Sequence, residues 1–96
     1  MKAVLIVHDV GIEAEINDLL KAAGIDCYTK FPEILGRGRL SEPHLNTEVW
    51  PGVNCGILVV AEDNQARDVM EAIRRMRQTL GSEGLKAFLW EIEDIT

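Results

Sequence analysis

The chain has 96 residues, 47% of them hydrophobic and 27% charged, with a formal net charge of −6. That length supports a single domain, residues 1–96, whose modest core gains from oligomerisation, and the mixture is that of a folded globular protein, not a disordered one. The acidic balance argues against a nucleic-acid partner, which calls for an excess of Lys and Arg on one face.

Lys2 to His8 is apolar on both alternating faces, with Val4 and Ile6 on one and Ala3, Leu5 and Val7 on the other. A strand of this kind is buried on both sides and therefore central. The run is too short for a signal-peptide core or a membrane helix, and no other apolar run approaches about 18 residues. The expectation is a cytoplasmic protein that is not inserted in a membrane. Residues 12–23 place Ile12, Ile16, Leu19, Leu20 and Ala23 at helical spacing, and Gly24 stands where a helix-terminating glycine belongs. Ile25 to Leu35 alternates at first, but Pro32 denies it a ladder donor, so it reads as an edge strand.

Gly36 to Gly52 is a loop of 17 residues, longer than the roughly 12 above which an irregular segment inside a domain tends to be functional or disordered. Val53 to Ala61 is again apolar on both faces, a second central strand. Asp63 is placed to cap a helix whose stripe is Ala66, Val69, Met70, Ile73, Met76 and Leu80, and Gly81-Ser82-Glu83-Gly84 stops it. Lys86 to Ile95 alternates Phe88, Trp90 and Ile92 against Ala87, Leu89 and Glu91, a further edge strand.

The order is βαββαβ with strands one and three central, which selects the α+β, ferredoxin-like antiparallel sheet 4-1-3-2 with both helices on one face. Two central strands that are apolar on both faces need a second cover, and a further copy of the same chain is the natural one. If Ile34 lies roughly opposite Val53, Cys55 faces about position 32. That is some five residues from Cys27 and beyond disulfide reach, so both cysteines read as thiols.

Gly36-Arg37-Gly38-Arg39 combines flexible backbone, exposed amides and two forked cations, a combination suited to a phosphate or carboxylate, although a solvated turn has the same composition. With Lys30, Arg37 and Arg39 close together and only Glu33 opposing them, the loop's entry is positive on a negative protein. Gly81 to Gly84 followed by Lys86 admits either a second anion-approaching turn or a simple helix stop. The glycine spacing, and the strand that follows, exclude a P-loop. His8, His44, Cys27 and Cys55 are the soft-metal candidates, without a ligand-spaced pair among them. His44 is the best placed because it stands in the loop, whereas His8 reads as a satisfied buried imidazole or a cleft-edge residue. Trp50 packs the loop's exit or offers a stacking surface. There is no nucleophile motif, so no enzyme is expected.

The two glycine loops on a βαββαβ frame resemble the PII signal-transduction family over nearly the whole chain. Gly36-Arg37 opens the long loop as Gly-Arg opens the T-loop of that family. A second match runs from Ala61-Glu62-Asp63-Asn64-Gln65 through Val69-Met70-Glu71-Ala72-Ile73 to Gly84-Leu85-Lys86-Ala87-Phe88. The resemblance implies a homotrimeric sensor, not an enzyme, with an adenine nucleotide or other small effector in inter-subunit clefts. Gly36, Arg37, Gly38, Arg39, Gly84 and Lys86 would line the anion end. It also implies a T-loop-like segment, 36–52, that docks onto a transporter, enzyme or regulator and presents Ser41, His44 and Trp50 to it. A metal-binding trimer of the same superfold, using His44 with a cysteine or carboxylate, is the alternative.

Overall fold

The computed structural model describes residues 1–35, 54–81 and 84–96. The elements are β1 (Lys2–Asp9), a 3-10 turn (Val10–Ile12), α1 (Glu13–Ala22), β2 (Thr29–Ile34), β3 (Asn54–Ala61), α2 (Asp63–Leu80) and β4 (Leu85–Glu91). They form one antiparallel sheet in the order β2-β3-β1-β4, the expected 4-1-3-2 read from the other edge.

Register decides which residues meet. Val4 opposes Val59 and Leu89, Ile6 opposes Ile57 and Ala87, and His8 opposes Cys55 and Leu85. Directly opposed residues share a face, and on this face the sheet packs against Ile16, Leu19 and Leu20 of α1 and Ala66, Val69 and Ile73 of α2, all buried. The other face carries Leu5, Val7, Leu58, Val60, Phe88 and Trp90, with Phe31 of β2 opposite Gly56. Phe31, Val60, Phe88 and Trp90 there are 39–48% exposed. The helices cover one side of the sheet and leave the other apolar and open.

Three boundaries depart from the sequence expectation. β2 starts at Thr29, not Ile25, because the chain leaves α1 through two main-chain bonds that use up the first amides: Gly24 N to Lys21 O at 3.0 Å and Ile25 N to Leu20 O at 2.9 Å. This is the paired-bond helix stop that places a glycine at positive φ, here +76° at Gly24. β4 ends at Glu91, since the Ile92 amide turns to the Met1 carbonyl at 3.2 Å. Asp63 is not the cap of α2. Glu62 holds that position without a side-chain bond, while Asp63 lies in the first turn and pairs with the terminal amine of Met1 at 3.3 Å. There it still complements the positive end of the helix. Leu80, expected on the apolar stripe, is exposed at the last turn.

Candidate effector site

Both connections singled out in the sequence open from the same end of the sheet. The segment after Leu35 leaves β2 and returns at Asn54, where Ile34 is paired with Asn54. The connection after Gly81 re-enters at Gly84, next to Leu85, which is paired with His8. β1 ends between them. With neighbouring strands about 4.8 Å apart, Gly84 is roughly 10 Å from Asn54 and roughly 14 Å from the end of β2. A ligand of a few atoms cannot touch the base of the long loop and Gly84 of one chain at once unless the loop or another chain closes the gap.

Asp9 anchors this end. Its amide donates to Gly84 O at 2.8 Å, its Oδ1 accepts from Gly11 N at 2.7 Å, and its main-chain carbonyl is 2.8 Å from Nδ1 of His8. Gly84 has φ +77°, a conformation that costs an L side chain about 1–2 kcal/mol and explains why a glycine stands here. Two residues on, Lys86 is exposed on the open face of the sheet, opposite Val7.

His8 is fully buried. A carbonyl can only accept, so Nδ1 carries the proton in this contact and a neutral ring leaves Nε2 as a bare acceptor. Among the described residues Nε2 has no partner, so the imidazole is buried as expected but satisfied on one side only. Its cross-strand neighbour Cys55 is also buried, and its thiol donates to Pro32 O at 3.2 Å. That contact agrees with the pairing of Cys55 near position 32. Cys27 is exposed, and both cysteines are free thiols.

Lys30 does not contribute to a positive loop entry. It pairs with Glu13 across to α1, so its charge is neutralised where β2 meets the first helix. Of the residues expected to bind the anion, Gly84 and Lys86 stand at this sheet end, and Gly36, Arg37, Gly38 and Arg39 lie outside the described residues. So do Ser41, His44 and Trp50, and with His44 the expected metal ligand. Among the described residues no three His, Cys, Asp or Glu side chains come together as a metal site. Sequence reasoning passed over Asn54, a polar residue only 9% exposed at the start of β3. Its signal was available: an amide side chain opening a strand whose remaining residues are nearly all apolar.

The family model of the nitrogen regulatory protein P-II matches residues 1–96, the whole chain. The chain belongs to the nitrogen regulatory protein P-II family. No curated protein sequence matches it. Among solved structures, its fold is similar to that of CPII, a nitrogen regulatory PII-like protein from Thiomonas intermedia K12. The form bound to ADP and bicarbonate aligns with TM-score 0.74 at 19% identity, covering 95% of this chain and 84% of the other. The form bound to ADP, AMP and bicarbonate gives 0.75 at 19% identity with the same coverage, and that bound to ADP, AMP and acetate gives 0.70 at 17% identity, with 92% and 81% covered. For this P-II family member the likeness establishes the βαββαβ fold and its sheet order. No helix among the described residues is long and apolar enough to cross a membrane.

Proposed function

We propose that this P-II family chain is a cytoplasmic, trimeric regulator that binds a small anionic effector, an adenine nucleotide, in clefts between copies. It signals to a protein partner through its 36–52 loop. One observation carries the reading: the two glycine connections open at one end of the sheet, with Gly84 tied to Asp9 and Lys86 close behind, yet about 14 Å apart within a chain. A second copy seated on the open apolar face supplies what is missing. It would bury Phe31, Val60, Phe88 and Trp90 and bring one chain's loop toward another's Gly84. The bound nucleotides of CPII are consistent with such a ligand. In this reading Gly36, Arg37, Gly38 and Arg39 complete the anion end, and Ser41, His44 and Trp50 face the partner. A regulator of this type needs a cleft and a responsive loop, not a catalytic group.

The test is a thermal-shift series on the full chain with AMP, ADP, ATP, bicarbonate and divalent metals, with mass measured by light scattering. A ligand that binds only the folded protein stabilises it by RT ln(1 + [L]/Kd), about 2.7 kcal/mol at a hundredfold excess over Kd. A rise in Tm with an adenine nucleotide and a trimer mass are expected. A shift with a metal alone, abolished by His44→Ala, would replace this reading with the metal-binding one.

A further inference from the structure

The Oδ1 of Asn54 is buried and has no hydrogen-bond partner among the described residues. An orphaned acceptor of this kind costs about 1–3 kcal/mol, so its place in the sheet calls for something to meet it. Asn54 opposes Asp9, and Asp9 holds Gly84, so the three stand in one row across the sheet end. Alternation puts Asn54 on the face away from the helices, with Gly56, Leu58 and Val60. Lys86, opposite Val7, is on that face as well, two strands over and one pleat along. His8, the other buried group with an unpartnered nitrogen, faces the helices and is separated from Lys86 by the sheet.

We propose that Asn54 is a specificity residue of the effector site, reading a small oxyanion that carries its own proton, of which bicarbonate is the type. The proposal rests on the reading of this sheet end as an anion site. A carboxamide presents an acceptor and a donor side by side, and either orientation of the amide offers the same pair. Bicarbonate is the complement of that pair: its hydroxyl donates to the amide oxygen while a carboxylate oxygen accepts from the amide N–H. The cation of Lys86, on its four-carbon stem, balances the charge. Acetate and nitrate bring acceptors only and leave the Asn54 oxygen unmet, as do the deprotonated oxygens of a nucleotide phosphate.

Calorimetry on the full chain in the presence of ADP decides it, with bicarbonate, acetate and nitrate as titrants and Asn54→Leu and Asn54→Asp as variants. The wild type should bind bicarbonate at least tenfold more tightly than acetate or nitrate. Asn54→Leu should lose at least tenfold in bicarbonate affinity, bind ADP within twofold of wild type and, without ligand, melt at a higher temperature than wild type. The last follows because a similarly sized apolar side chain removes the unmet oxygen, and a merely structural role would move Tm the other way. If Asn54→Leu does not fold, Asn54→Asp keeps the shape and replaces the donor with a charge, and should bind ADP but not bicarbonate. Bicarbonate selectivity that survives the substitution, or wild-type affinity for acetate equal to that for bicarbonate, overturns the proposal. So does a lower Tm in Asn54→Leu, which would mean that the assembled protein satisfies the amide itself, or a loss of ADP affinity, which would mean that the amide reads the base. Failure of the wild type to bind ADP and every anion would remove the effector site as a whole, whereas ADP binding without bicarbonate selectivity removes only the role of Asn54.

Discussion

The amide of Asp9, last residue of the central strand, donates to the carbonyl of Gly84 at 2.8 Å, where the returning chain enters β4. Asp9 is itself held by Gly11 N on its carboxylate and by His8 Nδ1 on its carbonyl. The turn before Lys86 is thereby fastened to the most buried strand of the sheet, so the anion-facing end of β4 is positioned by the core.

Gly84→Ala should destabilise the protein by about 1–2 kcal/mol, the cost of an L residue at positive φ. Added contact contributes little, because a Cβ at this position would meet Asp9 Cβ at an ordinary 3.4 Å. Urea unfolding measures the loss. A variant as stable as wild type would mean that Gly84 does not hold φ +77° in solution.

The two faces of the sheet should respond differently to charge. Ile57 is fully buried beneath the helices, whereas Phe88 is 48% exposed on the opposite face. Ile57→Asp should abolish folding, since a buried carboxylate finds no partner there. Phe88→Asp should leave the circular dichroism of the fold intact and lower the mass seen by light scattering to that of a monomer. A trimer that tolerated Phe88→Asp would place the subunit contact elsewhere.

Lys86→Ala and Arg37→Ala should each weaken an anionic effector by about tenfold or more, the scale of a charge-assisted hydrogen bond of about 1.5–3 kcal/mol. Lys86 is exposed, so folding stability in Lys86→Ala should stay within about 0.5 kcal/mol of wild type. Calorimetry with ADP checks the first statement and thermal melting the second. Equal affinity in both variants would dissociate the anion site from the glycine connections.

The Lys30–Glu13 pair joins edge strand β2 to α1, and its side chains are about one-third exposed. A double-mutant cycle should return a coupling of about 0.2–1 kcal/mol that shrinks as salt is raised. A coupling insensitive to salt would mark the pair as more buried than its surroundings suggest.

The sheet order was legible because Lys2–His8 and Val53–Ala61 are apolar at every position, and only a central strand buries both of its faces. The two helices were legible from the spacing of Ile16, Leu19 and Leu20, and of Ala66, Val69 and Ile73. Local periodicity expresses these features directly, because side chains three or four apart lie on one side of a helix whatever packs against it. The stop at Gly24 was legible for the same reason: a glycine at positive φ is a local requirement.

Pairing across the chain was not local, and there the tertiary structure decided. Nothing near Lys30 in sequence announces Glu13 as its partner, and nothing near Asp63 announces the amine of Met1, since each pair joins separate elements that meet only after folding. Asn54 and His8 are ordinary polar residues in apolar runs until register sets them opposite Asp9 and Cys55. Only then does one buried oxygen prove to lie on the same face as Lys86, and one buried nitrogen on the other. Composition and periodicity determined which segments would be strands and helices. Which polar groups those strands left unmet at the sheet end followed from hydrogen-bond register, a property of pairs of strands that no single stretch of sequence carries.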